Sequence, residues 1–424
     1  MDRRNFFQLA TGTAAVTAFL QKTVNRAFAA PAPAKNMSAE EAATDEDFWN
    51  QIRNEFTTDR TVINLNNGHV SPAPRTVQDA MRRYLDYSNQ GPYHTMIREL
   101  EPKKESARRM VAEVAGVDPE EIALTRNSSE SLEIAQLGLN LKAGDEVLTT
   151  NQDYPRMLTT FRQRERREGI KLVQISFPVP AISPDDLYQR FEKGLTPNTK
   201  AILLCHITNR TGLIFPVRRI ADMAHARGIT VIVDGAHAFN HFPFKISDLN
   251  CDYYGVSLHK WTFAPVGTGF LYVNKDRIKD TWAMMASSPR QDNNIRKFEE
   301  IGTHPAANLD SICEAIVFNQ NIGIERKLAR LRYLRDRWAN KLAQNPKVKI
   351  LHNTDPAMSA GIGMFAVTRA DPRALVDALT KQNIFVALMG HSEYTGIRVT
   401  PSVYSTVGEV DHFAEVVDEE LKKA

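Results

Sequence analysis

The sequence predicts an α/β protein: a large domain with a mostly parallel sheet covered by helices, joined to a smaller α+β domain. Three observations support this fold class. Short apolar runs bounded by Gly, Asp or Asn alternate with segments of helical period across the middle of the chain. The 424 residues are more than one compact core usually holds. Past residue 310 the strand-like and helical segments become shorter, which favours a separate second domain.

The first residues have the pattern of an export signal. Arg3 and Arg4 precede a mildly apolar run over residues 9–20, and Ala27-Phe-Ala places small residues two apart, as at a signal-peptidase site. We expect residues 1–29 to be a signal peptide of the twin-arginine type, carried folded by the twin-arginine translocase, and the mature protein to be periplasmic. An ordinary amphipathic N-terminal helix is the alternative.

The remaining elements follow in order. Residues 30–47 are rich in Ala, Pro and acidic residues without a period, which predicts a linker, and residues 48–75 are expected to pack with the small domain. The large domain is expected over residues 76–310 and the small one over 311–424. Predicted helices cover residues 74–87, 101–115, 131–138, 154–168, 184–193, 218–226, 310–342, 372–381 and 409–422. Predicted strands cover residues 146–150, 171–175, 201–205, 230–233, 253–256 and 269–273, then 348–351, 362–367, 384–386 and 396–399.

Composition excludes several classes of protein. The chain has 53 Lys+Arg and 50 Asp+Glu, a formal net charge of +3, with no long run of like charges, which argues against nucleic acid as a partner. Residues 1–29 hold four basic residues and one acidic residue, so the rest of the chain is formally neutral. No later apolar run is long enough for a permanent membrane span. Three widely spaced cysteines form neither a disulfide framework nor a metal-binding pair.

An aspartate and a lysine at two predicted strand ends give the clearest chemical signal. Asp234 ends an apolar strand and is followed by glycine, which places it at the carboxyl edge of the sheet, where such folds bind ligands. Lys260 follows the next strand, in Ser257-Leu-His-Lys. Such a lysine could form an imine with an aldehyde cofactor, and an aspartate beside the pyridine nitrogen of pyridoxal phosphate keeps that nitrogen protonated. A turn-capping aspartate and a surface lysine are the alternative.

Two further features point to anion binding. Ser128 and Ser129 precede an apolar helical repeat, so hydroxyl and backbone N–H groups gather at a helix N-terminus, a natural phosphate site. Plain helix capping by serine is the alternative. Arg398 lies in a strand-like run, and its planar guanidinium suits a substrate carboxylate, unless it forms a surface salt bridge.

Together these motifs resemble the class V aminotransferase family of fold-type I pyridoxal-phosphate enzymes, in the branch similar to isopenicillin N epimerase. The resemblance runs from Asn64-Leu-Asn-Asn-Gly-His to Arg398-Val-Thr-Pro, nearly the whole mature chain. Its most specific part is Asp234-Gly-Ala-His237 followed by Ser257-Leu-His-Lys at the family spacing.

The resemblance implies pyridoxal 5'-phosphate as the cofactor and assigns a role to each matching residue. Lys260 would join the cofactor covalently and carry the proton at the Cα of an amino-acid-like substrate, and Asp234 would pair with the pyridine nitrogen. Arg398 and Asn67 would bind the substrate. The other cofactor-binding residues implied are His237 and Asn209 near the ring hydroxyl, Ser128, Ser129, Ser257 and His259 at the phosphate, and Tyr154 stacked on the ring unless its neighbour takes that place. Thr303, in Gly302-Thr-His, looks like the segment that reaches the phosphate of the other subunit, which implies a homodimer with shared sites.

The reaction itself stays open between epimerase and aminotransferase. Epimerisation needs a second acid on the opposite face of Cα, for which Tyr154, His69 and His391 are candidates, whereas transamination can recycle one lysine. An exported enzyme that modifies a peptide or siderophore precursor is a further alternative. A degenerate, non-catalytic binding protein would have lost Lys260 or Asp234, and both are present.

Cysteine desulfurases of the same family need a nucleophilic cysteine on a loop upstream of the carboxylate-binding arginine. The chain has no cysteine after Cys313. Cys205 and Cys251 lie beside predicted strands, where a small buried thiol is the expected role. Desulfurase activity is therefore not expected.

Overall fold

The computed structural model describes residues 37–423. The predicted signal peptide over residues 1–29 and the first part of the predicted linker lie outside the described residues. Over residues 37–423, no helix combines the length and apolarity needed to cross a membrane.

Most elements form where the apolar periodicity predicts them. The helices are α1 (Ala39–Thr44), α2 (Glu46–Asn54), α3 (Arg75–Gln90), α4 (Glu101–Ala115), α5 (Ser128–Gly138), α6 (Pro155–Glu168), α7 (Pro184–Gly194), α8 (Val217–His225), α9 (Lys275–Ile278), α10 (Ala306–Asp310), α11 (Ile312–Ile322), α12 (Ile324–Leu342), α13 (Pro372–Lys381) and α14 (Val407–Lys423). A π-helical segment, Pro92–Leu100, joins α3 to α4. The strands are β1 (Ile63–Asn64), β2 (Ile122–Thr125), β3 (Glu146–Thr150), β4 (Lys171–Ile175), β5 (Thr199–Cys205), β6 (Thr230–Asp234), β7 (Tyr253–Ser257), β8 (Gly269–Val273), β9 (Val348–Ile350), β10 (Gly363–Val367), β11 (Ile384–Phe385), β12 (Ala387–Gly390) and β13 (Thr395–Val399).

A seven-stranded sheet with the order β2-β8-β7-β6-β5-β3-β4 forms the large domain. Strands β7, β6, β5, β3 and β4 pair in parallel, and β8 runs antiparallel to both of its neighbours. Both faces are buried: Ile202 and Leu204 of β5 belong to one hydrophobic core, while Ala201 and Leu203 belong to the other. The predicted fold class is therefore confirmed.

The small domain has its own core. Its four-stranded sheet, in the order β12-β13-β10-β9, is antiparallel throughout. Trp338 of α12 contacts Phe365 of β10 and Phe413 of α14, with ring centroids 5.8 and 6.1 Å apart. In this sheet, Arg398 of β13 lies opposite Met364 of β10 and Ala387 of β12.

The structure corrects the predicted linker over its described part, residues 37–47. Helix α1 begins with a capping box between Ser38 and Glu41, and both Ala42 and Ala43 are buried. The Trp49 indole donates to the Ala42 carbonyl at 2.6 Å. The helix is only six residues long, too short to show a period in the sequence, and it is held by packing against α12.

Residues 48–75 contact both domains. Strand β1 pairs in parallel with β11 of the small domain, and Arg53 forms a 2.6 Å ion pair with Glu409. Phe56 packs edge-on against Phe263 and Phe318, with centroids 5.5 and 5.7 Å away. The segment therefore also supports the loop that follows Lys260.

The structure divides the single helix predicted over residues 310–342 into α11 and α12, which follow the end of α10. Helix α10 ends at Asp310 and α11 begins at Ile312. Gly323 separates α11 from α12 with a φ of 85°, a conformation that favours glycine. The continuous apolar pattern hides this break because both helices bury the same kind of face.

Candidate active site

Three neighbouring strands bring the predicted residues to one edge of the large sheet. Strands β5, β6 and β7 are parallel and adjacent, so their carboxyl ends meet. Asn209 follows β5, Asp234 ends β6, and Ser257 ends β7 with Lys260 three residues later.

Lys260 lies half-buried beside His237. Its Nζ atom is 3.1 Å from the His237 Nε2 atom. Burial lowers the pKa of the Lys260 amine to about 8, although the Asp234 carboxylate opposes this effect and Arg398 reinforces it. At this pKa roughly a tenth of the amine is neutral at pH 7, far more than for an ordinary lysine, and the neutral form is the one that a nucleophile and proton carrier requires.

Hydrogen bonds to backbone and indole groups fix the protonation of two histidines. These are His237 and His241. Burial lowers the pKa of both rings, that of His241 to about 3, so both rings are neutral. The Gly361 N–H donates to His241 Nε2 at 2.8 Å, which leaves His241 Nδ1 to donate to the His237 carbonyl at 2.8 Å. The Trp261 indole donates to His237 Nδ1 at 3.4 Å, which favours the tautomer with its hydrogen on Nε2, and this atom donates to the Lys260 amine when the amine is neutral.

Asp234 is 5% exposed at the end of β6. Burial raises the pKa of its carboxyl group to about 6, despite the Ala236 N–H that donates to Oδ1 at 3.0 Å. The following residue, Gly235, packs so closely on Tyr254 that a Cβ atom there would lie 1.9 Å from the ring. Only glycine therefore fits against the Tyr254 ring at the position directly after Asp234.

The three predicted serines meet at the start of α5. The Ser257 hydroxyl accepts from the Ser128 N–H and donates to the Ser128 hydroxyl, both at 2.9 Å. Ser129 lies half-buried in the same first turn, where N–H groups and the helix dipole favour an anion. His259 is half-buried, its Nδ1 atom has no partner among the described residues, and burial lowers the pKa of its ring to about 4.

Arg398 projects from β13 of the small domain toward the loop after β5. It is 4% exposed, and its guanidinium donates to the Asn209 carbonyl at 2.7 Å and to Asn66 Oδ1 at 2.8 Å. Its Nε atom is buried without a partner in the described part of the chain. Burial lowers the pKa of Arg398 to about 10, so the group remains cationic at neutral pH.

The structure places Asn66 against Arg398, and not the predicted Asn67. The Asn67 side chain is fully buried and donates to the carbonyls of Asn64 and Thr400 at 2.9 and 3.0 Å. Its Oδ1 atom accepts from the Tyr404 hydroxyl at 2.5 Å. Asn67 therefore ties the N-terminal segment to the small domain, with no polar atom left for a substrate.

Tyr154 and Thr303 lie at the margins of the site. Tyr154 precedes α6, is 36% exposed and is near enough to Arg398 to influence its pKa. Thr303 is exposed and makes no hydrogen bond to Lys260 or to the serines within residues 37–423. The structure thus does not bring Thr303 to its own chain's site.

The other two candidates for a second acid are His69 and His391, and they lie in different surroundings. His69 is exposed and follows the Asn64-to-Gly68 segment. His391 Nε2 is 3.1 Å from the Asn151 carbonyl, and its ring is tilted against Tyr394 at 4.9 Å.

Sequence reasoning missed the residues that support the lysine from behind. Lys327 is buried and donates to the Trp261 carbonyl and, at 2.7 Å, to Asn319 Oδ1. The Asn319 amide donates to the Thr262 carbonyl at 2.7 Å. No local motif marks these residues, because α11 and α12 reach the loop only through the tertiary fold. Arg210 was also missed, although it directly follows Asn209 in the sequence.

The site's own chemistry fits a pyridoxal-type cofactor. Several buried polar atoms at the site have no partner among the described residues: Asp153 Oδ1, Asn209 Oδ1, Arg210 Nε, His259 Nδ1 and Arg398 Nε. Such atoms are rare in folded proteins unless a ligand satisfies them. A buried carboxylate, an amine of lowered pKa and a cluster of hydroxyl and N–H donors are the groups that a pyridine nitrogen, an aldehyde and a phosphate require. No group of His, Cys, Asp or Glu suited to a metal ion occurs within residues 37–423.

Comparison with known proteins agrees with this chemistry. A family model described as aminotransferase class V matches residues 63–413. Isopenicillin N epimerase of Streptomyces clavuligerus is 28% identical over 388 residues, covering 87% of this chain and 98% of that enzyme. The apo structure of a cysteine desulfurase from Thermococcus onnurineus NA1 has a TM-score of 0.78 and 24% identity, covering 90% of this chain and 98% of that one. The structure of a C-DES lysine mutant with glycine covalently linked to the PLP cofactor has a TM-score of 0.76 and 23% identity. The match covers 86% of this chain and 99% of that one.

Proposed function

Because the chain belongs to the aminotransferase class V family, whose cofactor is pyridoxal 5'-phosphate, we propose that it acts at the Cα of an amino acid or amino-acid-derived substrate, as an isopenicillin N epimerase-like isomerase or an aminotransferase. One observation carries the proposal. A half-buried lysine whose pKa is lowered to about 8 lies beside His237, with Asp234 and Arg398 close enough to affect its charge. A lysine that can carry a proton, placed near the Asp234 carboxyl group and near an arginine suited to a substrate carboxylate, fits proton transfer at Cα.

The residues divide the work of binding and proton transfer. When bound, the cofactor supplies a protonated ring that takes up the electron pair left on Cα. Asp234 would keep that ring nitrogen protonated, and Ser128, Ser257 and the first turn of α5 would hold the phosphate. Arg398 would orient the substrate carboxylate, so that the Lys260 amine faces the Cα hydrogen and removes it. His237 would keep the amine in place through Nε2.

Epimerisation additionally requires an acid on the other face of Cα. Of the three candidates, Tyr154 is the one that lies close enough to influence the pKa of Arg398, the group proposed to orient the substrate. His391 already contacts the Asn151 carbonyl, and His69 is exposed. We therefore favour Tyr154 for this role.

Product analysis in deuterated water tests the proposal. The holoenzyme is incubated with L- and D-amino acids, with and without a keto acid, and the products are examined by mass spectrometry and chiral chromatography. We expect deuterium at Cα. Inversion identifies an epimerase, and transfer of the amino group identifies an aminotransferase. If no amino acid or amino-acid derivative exchanges its Cα hydrogen, the proposed function is wrong.

We also propose that the chain is not a cysteine desulfurase, although relatives carry that name. Reactive cysteines need an accessible thiol with a lowered pKa. Burial instead raises the pKa of all three thiols: Cys205 and Cys251 are buried within the large domain, and the pKa of the half-buried Cys313 is about 11. Measurement of sulfide release from L-cysteine tests this expectation.

Two alternatives use the same site differently. An exported enzyme that modifies a peptide or siderophore precursor would keep the proton transfer at Lys260 and differ in the size of its substrate. A degenerate binding protein would not need a lysine with a lowered pKa, so the state of Lys260 favours an enzyme.

We propose that the chain is exported folded, through the twin-arginine pathway, to the periplasm. One support is the order of Arg3 and Arg4, the apolar run and Ala27-Phe-Ala in the sequence. The other is that export in the folded state would let the protein carry a cofactor bound in the cytoplasm. The Arg3→Lys/Arg4→Lys variant is expected to stay in the cytoplasm. Full periplasmic yield of this variant, measured by cell fractionation, would show that the pathway is not used.

We further propose a homodimer in which Thr303 reaches the phosphate site of the partner. The support is the exposure of Thr303 in its own chain and a surface cavity of about 580 Å³ whose lining includes the exposed residues Val70 and Val266. Analytical ultracentrifugation is expected to give the mass of two chains, and the mass of one chain would contradict the proposal.

A further inference from the structure

Two of the buried arginines have no carboxylate partner. Among the described residues, six arginines are less than one tenth exposed: Arg108, Arg164, Arg210, Arg330, Arg335 and Arg398. Four of them form ion pairs with Glu or Asp, namely Arg108, Arg164, Arg330 and Arg335. Arg210 and Arg398, which are 7% and 4% exposed, form none. A buried charge without a counter-ion is unfavourable, so an anionic ligand at these two positions would relieve the cost.

The two guanidinium groups are neighbours held by separate carbonyls. Arg398 donates to the Asn209 carbonyl at 2.7 Å, and Arg210 is the next residue in the chain. Arg210 Nη1 donates at 2.6 Å to the carbonyl of Gly390, the last residue of β12. Both Nε atoms are buried and lack a partner among the described residues. After burial, the charge of Arg210 is the next cause that lowers the pKa of Arg398, as expected for two nearby cations.

The cofactor phosphate does not account for both charges. The serines proposed to hold it lie at the end of β7 and the start of α5. Arg210 follows β5, on the other side of β6, and two strand spacings amount to roughly 10 Å. Glu393 is the acidic residue of the β12–β13 loop, but it is exposed and accepts from the Asn151 amide at 3.0 Å. One carboxylate on Arg398 would therefore leave Arg210 unpaired.

We propose that Arg210 binds a second carboxylate of the substrate, so that the enzyme acts on an amino acid, or a derivative of one, that carries an acidic group besides its α-carboxylate. This inference rests on the proposed function and narrows its substrate class. A guanidinium group matches the planar geometry of a carboxylate and offers two donors to it. The half-buried Tyr394 lies near Arg210, because the charge of Arg210 affects the pKa of the Tyr394 hydroxyl.

Binding of unreactive acids to the holoenzyme tests the inference. Isothermal titration calorimetry compares succinate, glutarate and adipate with the monocarboxylate pentanoate, none of which has an amino group to react. We expect at least one dicarboxylate to bind about 100-fold more tightly than pentanoate. Arg210→Met is expected to remove this preference, and Arg210→Lys to retain part of it. Arg227→Met, which changes an exposed arginine of the large domain, serves as the control and should keep the preference.

Melting temperatures separate a binding role of Arg210 from a purely structural one. Arg210→Met is expected to melt no lower than the wild type, because an unpaired buried charge is removed, whereas Arg330→Met should melt lower since it breaks the ion pair with Glu46. The inference is overturned if the wild type binds pentanoate as tightly as every dicarboxylate, or if Arg210→Met and Arg210→Lys both retain the preference. If the same proteins exchange the Cα hydrogen of an amino acid in the product analysis, the proposed function stands while the inference fails. If they do not, the proposed function fails and the inference with it.

Discussion

Lys260→Ala is expected to lower turnover by at least about 10⁴-fold, because it removes the covalent attachment of the cofactor and the proton carrier at Cα together. The purified variant should also lose the visible absorbance of the lysine-bound cofactor. Lys200→Ala, which changes an exposed lysine on the same sheet, is the matched control and should behave as wild type. Steady-state kinetics and an absorbance spectrum of each protein provide the measurement.

Circular dichroism separates the loss of chemistry in Lys260→Ala from a loss of folding. Lys260→Ala leaves the hydrogen bonds of the following residues in place, since the Trp261 and Thr262 carbonyls are held by Lys327 and Asn319. Circular dichroism should therefore be unchanged. A Lys260→Ala enzyme that keeps its turnover would rule out this lysine as the proton carrier.

Asp234→Asn should have the second largest effect. An amide cannot keep the ring nitrogen protonated, so the electron pair at Cα loses its sink, and we expect kcat to fall by about 10³-fold or more. The substitution conserves shape, so the Ala236 N–H keeps an acceptor. Steady-state kinetics with the best substrate from the product analysis measures the loss, and a kcat within a few-fold of wild type would show that the carboxylate is not needed.

The same substitution should stabilise the cofactor-free protein above pH 6. The pKa of Asp234 is raised to about 6 in the folded chain from an ordinary value of 3.8, so the folded state holds a proton that the unfolded chain releases between these values. Stability from this group therefore falls as the pH rises through that interval, and above it the buried charge costs roughly 2 to 3 kcal/mol. Asp234→Asn removes this cost at pH 8 and changes little at pH 4. Urea unfolding at both pH values tests it, and a lower free energy of unfolding for the variant at pH 8 would contradict it.

The parallel sheet and its edge could be predicted because their signals are local. A short apolar strand that ends in Asp234 and another that leads to Ser257 and Lys260 need only the rule that carboxyl ends of parallel strands meet. The serines at the start of α5 are equally local, since capping and anion binding depend on one helix turn.

The remaining parts depend on contacts between distant segments. Asn66 and Asn67 are adjacent in sequence, and only the pairing of the N-terminal segment with Thr400 decides which of them faces Arg398. Arg210 resembles any loop arginine until the structure shows that it is buried without an acidic partner. Helix α1 was hidden in a segment whose composition indicates a linker, because its stability comes from α12 and not from its own sequence.

Chemical trapping of the cofactor tests the central claim most directly. The purified holoenzyme is reduced with borohydride, which fixes the cofactor to the amine that holds it, then digested and analysed by mass spectrometry. We predict a pyridoxyl group on the peptide that contains Lys260, and none in Lys260→Ala. A label on another buried lysine, such as Lys327, or a chain with no label at all, would contradict the assignment of Lys260 and the proposed function built on it.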